Sequence, residues 1–186
     1  AASWLDTSMR AGVATRPVLV GPVTYLLLAK VKDGGAEPLS LLPGLLPVYV
    51  EILRQLKEAG APWVQIDEPA LVLDLSPAAK AAFKSAYETL AREVPGLKLM
   101  LTTYFGALGD NAELALSLPV SGLHVDLCAA PEQADIVRGK ARSDLTLSLG
   151  VVNGRNIWRN DLSATLKTLD RLAAHAGGIV IAPSSS

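Results

Sequence analysis

The sequence has only one cysteine, Cys128, and no run of basic residues. A single cysteine excludes an internal disulfide, which favours a reducing compartment and predicts a cytoplasmic location. The net charge is -1 and the lysines and arginines are dispersed. A basic patch is typical of nucleic-acid-binding proteins and of proteins that bind anionic membranes. We therefore expect neither nucleic acid nor a membrane as a partner.

Long apolar runs are also missing from the sequence. The longest candidate, 18–28, is interrupted by Gly21-Pro22 and is shorter than the ~18 residues that span a bilayer. The first dozen residues lack the apolar centre of a signal peptide, and the chain does not begin with methionine. These features predict a processed or excised piece of an intracellular protein. Half of the residues are apolar and 19% are charged, which is a globular composition.

Short apolar segments alternate with helix-like segments along the chain. Six segments rich in Val, Leu and Ile have the length of strands: 17–21, 63–67, 97–103, 122–127, 145–152 and 178–182. Helical spacing of apolar residues predicts helices between most of them, over Leu42 to Leu56, after Ser76-Pro77, at 109–118, at 131–141 and over Leu162 to Leu172. Pro47 either begins the first of these helices or kinks it. This alternation predicts parallel strands joined by helical crossovers.

Two architectures fit this alternation, an open doubly wound sheet and a (β/α)8 barrel. No glycine-rich phosphate loop follows a predicted strand, so the usual sign of a nucleotide-binding open sheet is missing. Polar residues alternate with apolar ones, as at Gln65 and Asp67, and the inside of a barrel can be polar near its mouth. The pattern favours a barrel, although a full one needs eight strands and about 250 residues. We predict an incomplete TIM-type barrel of the α/β class, with about six of eight strands, cut at both ends.

Polar residues gather where the predicted strands end, which is the side on which barrel enzymes bind and react. The candidate substrate-binding residues at this mouth are Asp67, Glu68, Thr102, Asp126, Asn153 and Arg155. Strand alternation directs Asp67 inwards and Glu68 outwards, unless Pro69 bends the chain first. The two carboxylates could form an acid–base or cation-binding pair. Alternatively, Asp67 joins a buried hydrogen-bond network and Glu68 caps a neighbouring loop.

Other chemically active residues are few. His124 is more typical of a satisfied core histidine than of a general base, and His175 lies near a helix end, where a cation suits the helix dipole. Arg155 and Arg159 could bind a carboxylate or fix the loop after the fifth strand. One cysteine and two separated histidines are too few for a zinc site of Cys and His ligands, so no such site is predicted, and a mixed site with oxygen ligands stays open.

Several long motifs occur in one order: PVLVGPVTYLLLAKVKDG, LLPVYVEILRQLKEAGAPWVQIDEPALVLDL, LMLTTYFG, LPVSGLHVDL, LSLGVVNGRNIWR and the terminal SSS. From about Arg16 onwards the sequence resembles the cobalamin-independent methionine synthases, which are 5-methyltetrahydropteroyltriglutamate–homocysteine methyltransferases. By this resemblance, 16–186 is a partial N-terminal barrel domain, and 1–15 is a segment of unclear role. The family has two duplicated barrels, and its zinc centre lies in the second, C-terminal one.

The resemblance implies methyl transfer from 5-methyltetrahydropteroyltri-glutamate to homocysteine in the full-length enzyme, with zinc as cofactor. The family's zinc ligands are not matched here: Thr102 to Phe105 stand in place of a His-x-Cys pair, Asp126 in place of a Glu, and Ser185 in place of a Cys. The segment would then provide scaffold and substrate approach beside the C-terminal catalytic barrel, and would be inactive alone.

Two other functions stay open at this point. Missing strands would leave the barrel edges unpaired, which suits a non-catalytic interaction or structural module. A stand-alone barrel enzyme using Asp67, Glu68 and Asp126 is the third possibility.

Overall fold

The computed structural model describes residues 7–8, 10–13, 15–32, 34–174 and 176–185. Within these ranges six strands form one parallel sheet: β1 Val18–Val20, β2 Trp63–Asp67, β3 Lys98–Thr102, β4 Gly122–Asp126, β5 Thr146–Val152 and β6 Gly178–Pro183. Each strand agrees with its predicted segment to within one residue at either end.

The strand order in the sheet follows the order in the chain, from β1 at one edge to β6 at the other. All five neighbouring pairs are parallel. A doubly wound sheet reverses its strand order at a switch point, whereas a barrel adds each strand beside the one before. The order therefore removes the doubly wound alternative, and the predicted α/β fold with six barrel strands is confirmed.

Helices connect the strands of the described chain. They are α1 Pro22–Leu27, α2 Leu42–Glu58, α3 Pro77–Glu93, α4 Ala112–Ser117, α5 Gln133–Lys140 and α6 Leu162–Ala173. The predicted cap of α3 is present, since Oγ of Ser76 accepts a hydrogen bond from the Ala79 amide at 3.2 Å. Pro47 lies inside α2 and does not begin it.

The observed helices differ from the predicted ones in three places. No helix is predicted at α1, because Gly21-Pro22 indicates only an interruption of an apolar run. The helix predicted over 109–118 is shorter, because Gly109–Asn111 forms a 3-10 turn before α4. The helix predicted over 131–141 is reduced to α5.

The two faces of the sheet differ in chemistry. Alternate strand residues join the main buried core together with apolar residues of the helices, namely Val64, Ile66, Leu99, Leu101, Leu123, Val125, Leu147 and Leu149. The residues between them, among them Asp67, Thr102, His124 and Ser148, point to the opposite, inner face. The helices therefore cover one face, and the polar residues line the inside of a curved sheet.

One helical stretch, Pro38–Glu58, is long and apolar enough to cross a membrane by length and composition. A core helix of a water-soluble domain passes the same test. The apolar residues Leu46, Val50, Leu53 and Leu56 on this stretch are buried in the main core. Packing within the domain therefore accounts for these apolar residues, whereas Leu41 and Val48 of the same stretch are 51% and 53% exposed.

Candidate functional site at the barrel mouth

A row of polar side chains crosses the inner face of the sheet near the carboxyl ends of the strands. The strand register pairs Asp67 with Thr102, Thr102 with His124, and His124 with Ser148. All four residues are buried. The row brings together two of the predicted mouth residues, Asp67 and Thr102, with a histidine and a serine.

Asp67 belongs to a hydrogen-bond network inside the sheet. Its Oδ1 accepts a bond from Nε2 of Gln65 at 2.8 Å, and its Oδ2 accepts one from the Tyr104 hydroxyl at 3.2 Å. The bond to Gln65 confirms that these alternate residues share one face. The geometry matches the plainer of the two interpretations for Asp67, in which its carboxylate satisfies buried polar groups.

Thr102 differs from its neighbours in this row. Its Oγ1 is buried and has no hydrogen-bond partner among the residues that the structure describes. The adjacent Thr103 donates from its hydroxyl to the carbonyl of His124 at 2.8 Å. Because an unmade hydrogen bond of a buried hydroxyl costs about 1–3 kcal/mol, the Thr102 hydroxyl is a position where a polar ligand group could gain affinity.

His124 forms a hydrogen bond with Ser148, and the distance from Nδ1 to Oγ is 2.9 Å. Burial lowers the pKa of His124 below its ordinary value, despite the nearby carboxylates of Asp126 and Asp67. The imidazole is thus neutral at physiological pH and is held by Ser148 rather than by Asp126. This agrees with the interpretation of His124 as a satisfied core histidine.

Asp126 organises the loops that follow β3 and β4. Its Oδ1 accepts hydrogen bonds from the amides of Cys128 and Ala129 at 3.0 and 2.8 Å. Its Oδ2 accepts one from the Phe105 amide at 3.1 Å. The side chain is only 2% exposed. Because both of its oxygens accept from backbone amides, Asp126 fixes the backbone of these loops at the mouth.

Glu68 does not lie at the mouth with Asp67, and its predicted position there needs correction. Strand alternation turns it to the helix-covered face, where its side chain is 0% exposed. Its Oε2 accepts a bond from the Thr24 amide at 2.8 Å, and its Oε1 faces the Val23 amide at 3.4 Å and the Tyr87 hydroxyl at 3.2 Å. Glu68 thus caps the first turn of α1 from the end of β2. This matches the alternative interpretation, in which Glu68 caps a neighbouring segment and is not part of an acid–base pair.

Burial dominates the electrostatics of Glu68. It raises the pKa of this carboxyl from its ordinary 4.5 to about 7, against the opposing hydrogen bonds from Thr24, Val23 and Tyr87. Burial also raises the pKa of the Tyr49 hydroxyl to about 12, and the charge of Glu68 contributes to that increase. The Tyr49 hydroxyl donates to the carbonyl of Val20 at 2.7 Å.

The two remaining predicted residues lie on the exposed loop after β5. Oδ1 of Asn153 accepts a hydrogen bond from the Arg155 amide at 2.9 Å. The guanidinium carbon of Arg155 lies 5.3 Å from the centre of the Phe105 ring, a cation–π contact. The same loop carries Ile157 and Trp158, which are 93% and 77% exposed. The Arg155 contact joins the loops after β3 and β5 across the mouth.

Phe105 has an unusual backbone conformation for a residue with a side chain. Its φ is +77°, and it is the one non-glycine residue with positive φ among those described. The ring is 51% exposed and meets Tyr104 edge-on, with 4.5 Å between the ring centres. Backbone strain of this kind collects at functional sites. No sequence pattern indicated the conformation of Phe105, whose amide donates to Oδ2 of Asp126 at the end of the neighbouring strand.

The donor set at the mouth does not fit a zinc ion. Among the residues that the structure describes, no group of three or more His, Cys, Asp or Glu side chains could hold a metal. His124 and Asp126 are already engaged by Ser148 and by backbone amides. Burial raises the pKa of the Cys128 thiol, which disfavours the thiolate that binds metals. His175 lies outside the described residues, so its predicted position at a helix end is not observed.

Six parallel strands wound in one direction, with helices on one face and polar residues at the carboxyl ends, define a barrel domain of the TIM type. A family described as "Cobalamin-independent synthase, N-terminal domain" matches residues 2–177. The chain belongs to this family, as the resemblance predicted. The match begins before Arg16 and so includes most of 1–15, while the proposed boundary at residue 16 stays a prediction.

Curated relatives support the same family. The 5-methyltetrahydropteroyltriglutamate–homocysteine methyltransferase of Nitrobacter winogradskyi is 58% identical over 177 residues, which is 94% of this chain and 23% of the relative. The enzymes of the same description from Rhodopseudomonas palustris strain CGA009 and Xylella fastidiosa strain M23 are 56% and 51% identical, and the chain covers 22% and 24% of them. The chain therefore spans about a quarter of the length of these relatives.

Solved structures agree with the fold. A B12-independent methionine synthase from Shewanella sp. W3-18-1, in complex with selenomethionine, has a TM-score of 0.72 at 13% identity over 99% of this chain and 59% of its own. A GH18 chitinase from Pseudoalteromonas aurantia has a TM-score of 0.56 at 11% identity, over 97% of this chain and 74% of its own. At such low identity these likenesses show the barrel fold alone.

Proposed function

We propose that the chain is part of a methyltransferase that transfers a methyl group from 5-methyltetrahydropteroyltri-glutamate to homocysteine, forming methionine. The carrying observation is membership of the synthase N-terminal-domain family, together with relatives of that description at more than half identity. Because the chain corresponds to about a quarter of those relatives, it contributes scaffold and substrate approach, and the remaining part contributes the C-terminal catalytic barrel.

Zinc belongs, in this proposal, to the part of the full-length enzyme that this chain does not contain. The mouth residues here hold each other and the backbone instead, as the contacts of Asp126 and His124 illustrate. When bound elsewhere in the enzyme, zinc would lower the pKa of the homocysteine thiol and so supply the nucleophile. The single cysteine and the family together support a cytoplasmic location.

The test is an assay of the purified 186-residue chain with the methylated triglutamyl folate, homocysteine and zinc. No methionine should form, because the described residues offer no donor set for the metal. A full-length relative such as the Nitrobacter enzyme is the positive control under the same conditions. Methionine formation by the 186-residue chain alone would overturn the proposal that catalysis resides in the remaining part of the enzyme.

Within this function, the mouth residues Asp67, Thr102, Asp126, Asn153 and Arg155 are proposed to lie along the path of the substrate. The Thr102 hydroxyl, which has no partner in the described part of the chain, and the strained backbone at Phe105 support binding at this edge. Titration of the isolated chain with the triglutamyl folate, followed by amide NMR shifts, tests the point. Shifts that Thr102→Val removes, while the rest of the spectrum is kept, would support contact at the mouth.

A further inference from the structure

Glu68 is a buried carboxylate that, among the described residues, faces neutral hydrogen-bond donors and no cation. The groups around it come from three helices: the amides of Val23 and Thr24 and the Thr24 hydroxyl on α1, the Tyr49 hydroxyl on α2 and the Tyr87 hydroxyl on α3. The carboxylate of Asp67 lies on the opposite face of β2. None of the ion pairs in the described part of the chain includes Glu68. A carboxylate withdrawn from water without a cation is most stable when it is protonated.

Helix α1 depends on Glu68 for its attachment to the sheet. Its N-cap is Gly21, which has no side chain to cap the helix, and Pro22 follows directly. The Glu68 carboxylate accepts from the first-turn amides of Val23 and Thr24 across 44 or 45 residues of sequence. A six-residue helix has little stability of its own, so this contact and the buried Val23 and Leu26 hold it in place.

The contact between α1 and the end of β2 is reciprocal. Glu68 binds the amides of α1, while Oγ1 of Thr24 on α1 accepts a hydrogen bond from the Ala70 amide at 3.2 Å. The Gly21 amide also donates to the carbonyl of Asp67 at 2.7 Å. Each segment therefore accepts a hydrogen bond from the backbone of the other, so the loss of one bond would favour the loss of the other. We call the contact of Gly21–Thr24 with Asp67–Ala70 the reciprocal clamp.

We propose that Glu68, Thr24 and Tyr87 form an internal proton-binding site whose protonated state closes the reciprocal clamp and whose ionised state favours its opening. In the protonated state the carboxyl still accepts from the Thr24 amide, and it carries no charge that burial would disfavour. In the ionised state the charge lies in an interior without a cation. Opening of the clamp exposes Glu68 to water, which stabilises the charge.

The difference in the pKa of Glu68 between the closed and the open clamp sets the direction and the pH range of the opening equilibrium. The pKa of Glu68 is about 7 in the closed clamp, because burial raises it, and 4.5 is the ordinary value that water would restore on opening. Below about pH 4.5 both states hold the proton, and opening is least favourable. Between about pH 4.5 and 7 the opening equilibrium increases by about tenfold per pH unit, and it is constant above this range.

Hydrogen exchange at single amides, on the whole 186-residue chain, tests the proposal. After correction for the intrinsic exchange rate, protection of the Val23 and Thr24 amides should fall from about pH 5 to 7 by about tenfold per unit. The Leu127 amide, which donates to the Gly150 carbonyl at 3.1 Å in the distant β4–β5 region, should stay more protected. A fall of the same size and level at Leu127 would mean global unfolding and would overturn the local opening.

Two Glu→Gln variants complete the experiment. Glu68→Gln imitates the neutral carboxyl, so protection of the Val23 and Thr24 amides should become independent of pH. Glu88→Gln is the matched control, because Glu88 is exposed on α3 beside Tyr87, and its profile should equal that of the wild type. A carboxyl ¹³C NMR titration should give Glu68 a midpoint at about 7, against about 4.3 for exposed glutamates. A Glu68 midpoint near that of the exposed groups, or a Glu68→Gln profile that keeps the wild-type slope, would refute the proposal.

Discussion

Gly21→Ala is expected to destabilise the chain severely, although it adds a single methyl group. Gly21 has φ of -70° and ψ of 150°, which alanine adopts freely, so the backbone itself is no obstacle. The added Cβ would overlap Cδ and Oε1 of Glu68. Because Glu68 is fully buried, its side chain cannot move aside into water.

The magnitude follows from two contributions. Overpacking of a filled interior costs about 1–3 kcal/mol. Displacement of the Glu68 carboxyl also weakens its bonds to the Thr24 amide and the Tyr87 hydroxyl, at about 1 kcal/mol each. The sum is about 3–5 kcal/mol, and for a chain of this size the expected fall in Tm is about 6–20 °C.

Urea unfolding followed by circular dichroism, at one fixed pH, measures the change in the free energy of unfolding. Gly44→Ala is the matched control, because Gly44 lies in α2 with nothing within 4 Å of an added Cβ. It should stabilise the chain by about 0.5–1 kcal/mol. Removal of the carboxyl in Glu68→Ala should make Gly21→Ala nearly neutral in that background. An equal cost in both backgrounds would show that the methyl group meets something other than Glu68.

Two further predictions concern other parts of the fold. Phe105→Gly should be more stable than Phe105→Ala by about 1 kcal/mol in the same urea assay, because glycine adopts positive φ without strain; equal stabilities would mean that φ relaxes after truncation. Arg142→Lys should cost about 1–3 kcal/mol, since the guanidinium donates to three backbone carbonyls at 2.9–3.2 Å and an ammonium cannot reach all three. The control is Arg138→Lys, which alters an exposed ion pair and should change stability by less than about 0.5 kcal/mol. Similar losses of stability in the two variants would contradict the role of the bonds from Arg142 to the carbonyls.

The strands could be predicted from the sequence because their pattern is local. Each apolar segment has strand length and, in the centre of the sheet, alternates between an apolar helix-covered face and a polar inner face. The strand order is not local, and the pattern alone left a doubly wound sheet open. Alternation also placed Glu68 on the outer face correctly, but its adjacency to Asp67 and to the strand end suggested a shared site at the mouth.

The capping contacts could not be predicted because their partners are far apart in the chain. Helix α1 has six residues and is held by Glu68, more than 40 residues away. The helical spacing of apolar residues gave no role to the hydroxyl of Tyr87, which donates to the same carboxyl. A tyrosine on a buried stripe needs a hydrogen-bond partner, which is the one signal in the sequence that could have pointed to this contact.

The reciprocal clamp also has a consequence for how related sequences can diverge. Gly21, Thr24, Glu68 and Tyr87 meet in one small volume, so the effect of changing one depends on which residues occupy the others. A bulkier residue at position 21 becomes acceptable only after position 68 has shortened, and a shortened residue at 68 leaves two helix amides without an acceptor. Substitutions at these positions are therefore coupled, and we expect the segments GPVT (21–24) and DEPA (67–70) to vary together among related sequences.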